Sequence, residues 1–404
     1  MQKLSFGIIR EGKTPPDTRT PLTPKQISFL QQKYPQFSFV VQPSPNRCFS
    51  DEAYLAEGIL VSENLEDCTI LMGVKEVPVA QLIPEKTYLF FSHTIKKQLQ
   101  NKKLLQAILQ QKIRLIDYEC LRDTQTGSRL IGFGYYAGIV GAHNGLQVWG
   151  KRTHTFDLPA AYNCKDFAAI KDIYDKTKFS PCRIVLTGNG KVPRGAKATL
   201  DVANIPEVSP TQFLADNCPE LCYTVLHYSD MYCHRSTHHY EGKSDFYTNP
   251  ENYYCRFAPF TQVADLFING IFWKEGIPVF FTKNEMRRPD FNIKVIADVT
   301  CDIAPAASIP ATLRETIIGD PVFGYDPFWE KETAPYQKNS IDMMTIDNLP
   351  NELPRDASQG FGEMLIEKII PEFLPDDSAI LADATIANDG VLTKKFAYLG
   401  DYVE

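Results

Sequence analysis

The chain lacks any apolar run near the ~18 residues that would cross a bilayer, so no membrane partner is expected. Its first residues, Met-Gln-Lys-Leu-Ser-Phe-Gly-Ile-Ile-Arg, lack a long apolar stretch and a small-residue cleavage site. No secretory signal is therefore expected there. Positive charge is not in excess: 42 Lys and Arg stand against 49 Asp and Glu, a net charge of -7. That balance argues against a nucleic-acid or anionic-surface partner. No internal repeat or low-complexity tract occurs. The ten cysteines (Cys48, Cys68, Cys120, Cys164, Cys182, Cys218, Cys222, Cys233, Cys255 and Cys301) form no Cys-x-x-Cys. Cys218 and Cys222 have no matching pair at zinc spacing. They read as small buried apolar side chains in a reducing, cytoplasmic setting.

What is present is a globular composition, 44% hydrophobic and 23% charged over 404 residues, which predicts two domains. Up to about residue 135, short apolar runs alternate with polar helical stretches. Phe37–Val41, Thr69–Leu71, Tyr88–Phe91 and Arg114–Ile116 read as strands. Pro24–Lys33 and Lys96–Gln111 read as helices. Alternation of this kind implies a parallel sheet in an α/β domain. A Gly- and Ala-rich helix is expected over Tyr135–Val148. The pattern restarts at Pro181, with further strands expected at Leu266–Ile271, Pro278–Phe281 and Val295–Val299. Residues 222–257, dense in Tyr, His, Cys and Asn, read as an insertion after the second strand of the second domain. The tail predicts helices over Phe361–Phe373 and near Ser378–Ile386.

Gly188, Gly190 and Gly195 follow the apolar strand Ile184–Thr187 directly, in G-N-G-K-V-P-R-G. Such glycines let a backbone turn tightly and approach a pyrophosphate, which the next helix meets with unpaired N–H groups. Pro193 stands where the third glycine of the usual fingerprint would be, tolerable within a first helical turn. No acid stands about 20 residues on, where one would hold the adenosine ribose; Ser209 and Thr211 are there, with Glu207 slightly early. Lacking that repulsion, the site is expected to accept NADPH as well as NADH.

Three successive strands each end in ionisable residues: Lys75 and Glu76, then His93, then Glu119. Arg10 and Glu11 end the first strand, and Arg19 follows a short loop. Ligands of α/β sheets bind at the C-terminal strand ends, so these residues predict one cleft. A Lys and a His together divide acid and base roles if their environments separate their pKa values. Arginine suits bidentate carboxylate binding. Taken singly, each arginine also fits a solvated surface charge.

The strings GVKEVP, KTYLFFSHTIK, IRLIDYE and FGYYAG resemble the lysine-forming saccharopine dehydrogenase family, within the alanine dehydrogenase/transhydrogenase superfamily. The likeness continues through LTGNGKVPRGA, YCRFAPF, LFINGIFW, ADVTCDIA and TIDNLPNELPRDAS. It is nearest to the lysine–2-oxoglutarate reductase part of the bifunctional aminoadipate-semialdehyde synthase. The resemblance implies an α/β protein of two Rossmann-like parallel-sheet domains with a ligand cleft between them. Residues 1–135 and 345–404 would form a discontinuous substrate domain, and 136–344 the dinucleotide-binding domain. It implies NAD- or NADP-dependent interconversion of saccharopine with L-lysine and 2-oxoglutarate. Lys75 and His93 would be the acid–base pair, with Glu76, Glu119, Arg19 and Arg129 as substrate-binding residues. Gly188, Gly190, Lys191, Val192, Gly195, Asn269, Asp298 and Asp302 would contact the cofactor. The second catalytic half of the bifunctional relatives has no counterpart, so one of the two steps is expected. A small amino-acid substrate and a monomer or homodimer are implied, and no metal. His234, His238 and His239 lie in the insertion and read as polar loop residues. The alternatives are a related enzyme, of alanine dehydrogenase or carboxyethyl-amino-acid synthase type, or a non-catalytic nucleotide-binding homologue.

Overall fold

The computed structural model describes residues 3–375 and 377–404. Met1 and Gln2, part of the leader reading, lie outside the described residues. The chain divides into two compact units, Met1–Phe133 with Pro354–Glu404, and Gly134–Leu353. The return to the first unit comes at Pro354, later than the expected 345, because Ile346, Leu349 and Leu353 are buried in the core of the second unit.

The first unit is built on β1 (Leu4–Ile8), β2 (Phe37–Val41), β3 (Leu60–Val61), β4 (Ile70–Met72), β5 (Thr87–Phe90) and β6 (Arg114–Asp117). These six strands pair in parallel in the order β6-β5-β4-β1-β2-β3. Helices α1 (Pro24–Lys33), α2 (Asp51–Ala56) and α3 (Lys102–Gln110) connect them. α1 starts where the sequence says it must. The Thr23 hydroxyl accepts from Gln26 N, the Gln26 side chain accepts from Thr23 N, and Pro24 fills the first helical position, a reciprocal cap. The expected long helix 96–111 is shorter, a 3₁₀ turn Leu99–Asn101 followed by α3.

The second unit holds α4 (Gly134–Thr153), α5 (Phe167–Tyr174), β7 (Cys182–Thr187), α6 (Lys191–Val202), β8 (Leu221–Leu226), β9 (Tyr232–His234), β10 (Tyr253–Cys255), β11 (Leu266–Asn269), β12 (Val295–Asp298), β13 (Val322–Asp326), β14 (Lys331–Thr333) and β15 (Ile341–Met344). Its main sheet runs β14-β13-β15-β12-β11-β7-β8, with β13 and β14 antiparallel at one edge. Pro278–Phe281, expected as a strand, is irregular instead. Its apolar run is there because Phe280 and Phe281 insert into an aromatic core with Phe257 and Phe267. The insertion is a separate two-stranded ladder, β9 with β10, backed by buried Tyr232, Phe246 and Tyr253.

In the first unit the tail supplies the helix Pro354–Lys368 and an edge hairpin, β16 (Thr385–Asn388) and β17 (Val391–Leu392), with β16 antiparallel to β6. Part of the expected helix 378–386 is thus strand. The tail helix lies so close to α1 that a Cβ on Gly362 would fall 2.0 Å from Gln26 Oε1.

Candidate functional sites on two strand edges

Within the first unit the strand order reverses between β1 and β4, since β1 continues to β2 on one side while β4 lies on the other. Such a switch point leaves a crevice at the C-terminal ends of parallel strands. Glu11 follows β1 and Lys75 follows β4, so they stand on either side of that crevice. The Glu11 carboxyl spans it: Oε1 accepts from Val74 N at 2.6 Å and Oε2 from Lys75 N at 2.8 Å. Burial, reinforced by the charge of Asp17, pushes this carboxyl up to about 8, against the opposing pull of the two amides and Arg19.

One residue on, Glu76 Oε1 lies 2.6 Å from His93 Nδ1, and Lys13 Nζ lies 3.1 Å from Glu76 Oε2. Burial would raise the Glu76 carboxyl. The hydrogen bond and charge of His93, with Lys13, outweigh burial and hold it at about 2. β4 and β5 are neighbours, and Phe91 N donates to Val74 O at 3.0 Å, so Lys75 and His93 leave adjacent strand ends. His93 sits at φ 51, a left-handed conformation that costs a non-glycine residue free energy and marks an over-determined position.

What holds it there is Asp117, fully buried at the end of β6. Its Oδ2 accepts from Ser92 N at 3.0 Å and from the Ser92 hydroxyl, and its Oδ1 accepts from Glu119 N at 2.7 Å. Burial pushes the Asp117 carboxyl up. Beneath these ends lie the rings of Phe91, Tyr118, Phe133 and Phe361, the last from the tail helix and stacked on Phe133 at 4.4 Å.

The expected substrate residues are distributed unevenly. Glu76 is joined to His93. Glu119 and Arg129 pair with one another, Oε1 to Nη2 at 2.7 Å, with Arg129 the more exposed partner. Arg19 is 3% exposed. Its Nε and Nη2 grip Asp17 at 2.9 and 2.5 Å, and its guanidinium lies 4.2 Å over the Phe133 ring. Glu11 was placed at the cleft without a role, and Lys13, Asp17 and Asp117 were not picked out as site residues. Glu11 had one legible signal, its place at a strand end in line with Lys75. The others depend on folded proximity.

In the second unit the corresponding reversal falls between β7 and β11. Gly188 ends β7 with φ +98, where an added Cβ would meet Pro193 Cγ at 3.0 Å and Gly270 O at 3.4 Å. Gly190 is exposed, with no heavy atom within 4 Å of where a Cβ would be, and it caps α6 without a side-chain hydrogen bond. Gly190 therefore leaves room for a ligand at the start of α6, where a helix N-terminus suits the pyrophosphate of a dinucleotide. Lys191 and Val192 are half-buried first residues of α6.

Other expected cofactor residues make contacts within the second unit. A Cβ on Gly195 would lie 1.8 Å from Tyr135 O, and one on Gly138 would lie 1.9 Å from Val192 O. Gly195 is therefore a contact between α6 and α4. Asn269 and Asp298 are fully buried in a network across three strand ends. Thr187 Oγ1 donates to Asn269 Oδ1 at 3.0 Å, and Asn269 Nδ2 donates to Asp298 Oδ1 at 3.0 Å. Asp298 also accepts from Thr300 and Thr312. Asp302, four residues beyond Asp298, is half-buried on the loop that follows β12.

The position beside the glycine turn also needs correcting. The second strand begins at Leu221 and ends beside the turn, with Gly188 N donating to Leu226 O at 2.8 Å. The residues at the end of that strand are His227 and its successors, rather than 204–211. The first acid there, Asp230, has its carboxylate on His227 N at 2.7 Å.

Among the described residues no group of three or more His, Cys, Asp or Glu could hold a metal, and no helix is long and apolar enough to cross a membrane. All ten cysteines are free thiols.

Residues 7–140 match a family described as alanine dehydrogenase/PNT, N-terminal domain. Across 98% of its length the chain is 30% identical to the mitochondrial alpha-aminoadipic semialdehyde synthase of Rattus norvegicus, covering 47% of that protein. It therefore spans about half the length of such relatives. It is 26% identical to a Candida glabrata protein named saccharopine dehydrogenase [NAD(+), L-lysine-forming], over 91% of each chain. Among solved structures, an L-alanine dehydrogenase superposes with a TM-score of 0.67 at 12% identity, covering 99% of this chain and 100% of that one. A transhydrogenase from Sinorhizobium meliloti superposes at 0.55 with 10% identity, over 96% and 100%. At those identities the likeness speaks for the fold alone.

Proposed function

We propose, from the match of residues 7–140 to the alanine dehydrogenase/PNT N-terminal domain and the likeness to named saccharopine dehydrogenases, that the chain is a member of that superfamily and an oxidoreductase interconverting saccharopine with L-lysine and 2-oxoglutarate. The observation that carries the reading is the strand-edge constellation of Lys75, Glu76 and His93, with the Glu76 carboxylate 2.6 Å from the imidazole. Oxidation of saccharopine removes a hydride and a proton, leaving an imine that water opens to lysine and 2-oxoglutarate; reduction reverses both steps. A bound nicotinamide dinucleotide, NAD or NADP, accepts or returns the hydride. The chain's own groups handle protons and charge.

His93 takes the proton of the secondary amine. Glu76, held ionised, orients the ring and stabilises the imidazolium that forms. Lys75 moves protons to and from oxygen as water adds and the amino alcohol collapses. Glu119 and Arg129, one anionic and one cationic, meet the ammonium and a carboxylate of a substrate that carries both. Arg19 serves a carboxylate from a pre-oriented fork, its other edge fixed by Asp17. Gly188, Gly190, Lys191 and Val192 form the phosphate cradle. Asn269 and Asp298 act at one remove by tying its strand ends together.

The test is an assay of purified chain with lysine and 2-oxoglutarate, in parallel with pyruvate and ammonia, following dinucleotide absorbance. Turnover with the first pair, at least tenfold above the second, is the expected result. Turnover with pyruvate alone would replace the proposal by an alanine dehydrogenase reading, and none with any amino acid would replace it by a binding role.

A further inference from the structure

We propose that Glu11 is the positioning residue of the acid–base lysine: by bridging the amides of Val74 and Lys75 across the β1–β4 crevice, it sets the direction in which Lys75 leaves its strand. This deepens the proposed function and rests on it for the role of Lys75.

The geometry comes first. Two consecutive amides pointing at one carboxyl, at 2.6 and 2.8 Å, allow little rotation of the Val74–Lys75 peptide. The same peptide leads into Glu76, so the carboxylate that meets His93 inherits its placement from Glu11. The glycine at 73 makes the approach possible: a Cβ there would stand 2.8 Å from Ile9 Cδ1 and 3.3 Å from Glu11 Oε1.

The charges around Glu11 are few and nameable. Asp17 and Arg19 face it from the loop after β1. The amides of Val74 and Lys75 face it from the end of β4. Tyr118, from the end of β6, is fully buried with a hydroxyl that has no hydrogen-bond partner among the described residues, and the charge of Glu11 adds to the burial that raises that phenol. Burial of the carboxyl pushes it up to about 8. Below that pH burial favours the neutral acid, whose protonated oxygen accepts weakly. Above pH 8 it is a carboxylate that grips both amides. The stiffness of the Lys75 turn, and with it the proton-transfer geometry, rises through that ionisation. Misplacement of a reacting group by about 1 Å can cost on the order of 10²-fold in rate.

Glu11→Gln in the full chain is the deciding variant, since it keeps the shape and one acceptor but cannot ionise. Two readouts are taken from pH 6 to 9.5. One is kcat and KM for saccharopine oxidation. The other is the rate of reductive methylation of Lys75, read by peptide mass spectrometry, which needs no turnover. The expected result is a fall in kcat of about tenfold with KM within twofold, loss of the limb of the kcat profile near pH 8, and a changed pH midpoint for Lys75 methylation. Glu11→Asp, which ionises but is one methylene short, should recover the limb near pH 8 with a lower plateau; if Glu11→Gln does not fold, this variant alone decides by the same two readouts. A folded variant whose kcat profile and Lys75 midpoint match wild type would overturn the proposal. Should wild type not turn over saccharopine at all, the function fails, while the methylation midpoint still decides whether Glu11 positions Lys75.

Discussion

Oε1 of Glu76 lies 2.6 Å from Nδ1 of His93, seventeen residues apart in sequence and on the ends of adjacent parallel strands. The contact fixes which ring nitrogen faces the carboxylate and leaves the other for chemistry. It also has a thermodynamic signature. The Glu76 carboxyl is held at about 2 in the folded chain against 4.5 ordinarily. A depressed carboxyl contributes stability that is present above pH 4.5 and lost as pH falls towards 2. Glu76→Gln should therefore be less stable than wild type at pH 6, with the difference shrinking steadily on acidification. Urea titrations between pH 2.5 and 6 measure it; a constant difference would refute the assignment.

Lys75 is expected to act in proton transfer and not in holding the fold. Lys75→Met should lose at least ~10²-fold in kcat while its melting temperature stays close to wild type. Steady-state kinetics beside thermal unfolding separate the two, and unchanged turnover would remove Lys75 from the mechanism.

Two glycines of the same turn-helix segment should behave oppositely. Gly195→Ala puts a Cβ 1.8 Å from Tyr135 O, a clash with backbone that no rotamer relieves. A cost of about 3 kcal/mol or failure to fold is expected. Gly190→Ala meets nothing within 4 Å. Its melting temperature should be unaltered while dinucleotide affinity falls, because the added methyl occupies the phosphate approach. Calorimetry and fluorescence titration of both variants test the pair.

Glu352 carries the opposite linkage to Glu76. It is 2% exposed, accepts from Asn144 Nδ2 at 2.8 Å, and is pushed up to about 7 by burial, against the pull of Asn144 and a backbone amide. A raised carboxyl pKa means the folded chain binds the proton more tightly, so stability falls as pH rises from 4.5 through 7. Glu352→Gln keeps the carbonyl acceptor and removes the titration. It should match wild type near pH 4.5 and exceed it by up to about 3 kcal/mol at pH 8, since each tenfold gain in proton affinity is worth about 1.36 kcal/mol. Denaturant midpoints at the two pH values decide it.

The end of β8 bears on cofactor choice. His227 stands beside the glycine turn, and the carboxylate of Asp230 is turned onto the His227 amide. The acid close to the strand end, Asp230, is thus directed at the backbone. NADPH should support turnover at least as well as NADH; a kcat/KM ratio strongly favouring NADH would show that another acid fills the ribose position.

Much of this chain could be read before it folded, and the reasons are local. α1 was legible to the residue because its cap, its proline and its periodicity all lie within ten positions. β7 and the glycine turn were legible because a buried parallel strand is a continuous apolar run and a tight turn needs glycine. Pro278–Phe281 misled for the same reason: an apolar run marks burial, and two phenylalanines in an aromatic core are buried without being a strand. β15 was missed because Ile341–Met344, a short strand, precedes the family segment by no visible break. Gly195 read as a phosphate glycine, since nothing in G-N-G-K-V-P-R-G reveals that α4 passes within contact of it.

Sequence alone determined the alternation of strands and helices, the restart of that pattern at Pro181, and the placing of Lys75, His93 and Glu119 at strand ends, since each is a property of neighbouring residues. Tertiary structure alone decided that Glu11 grips the Lys75 amide, that Asp117 clamps Ser92 beside His93, and that Arg19 is bound to Asp17 over Phe133. Those relations depend on which strands become neighbours and on how deeply each carboxyl is buried. Strand order and desolvation exist only once the sheet has formed.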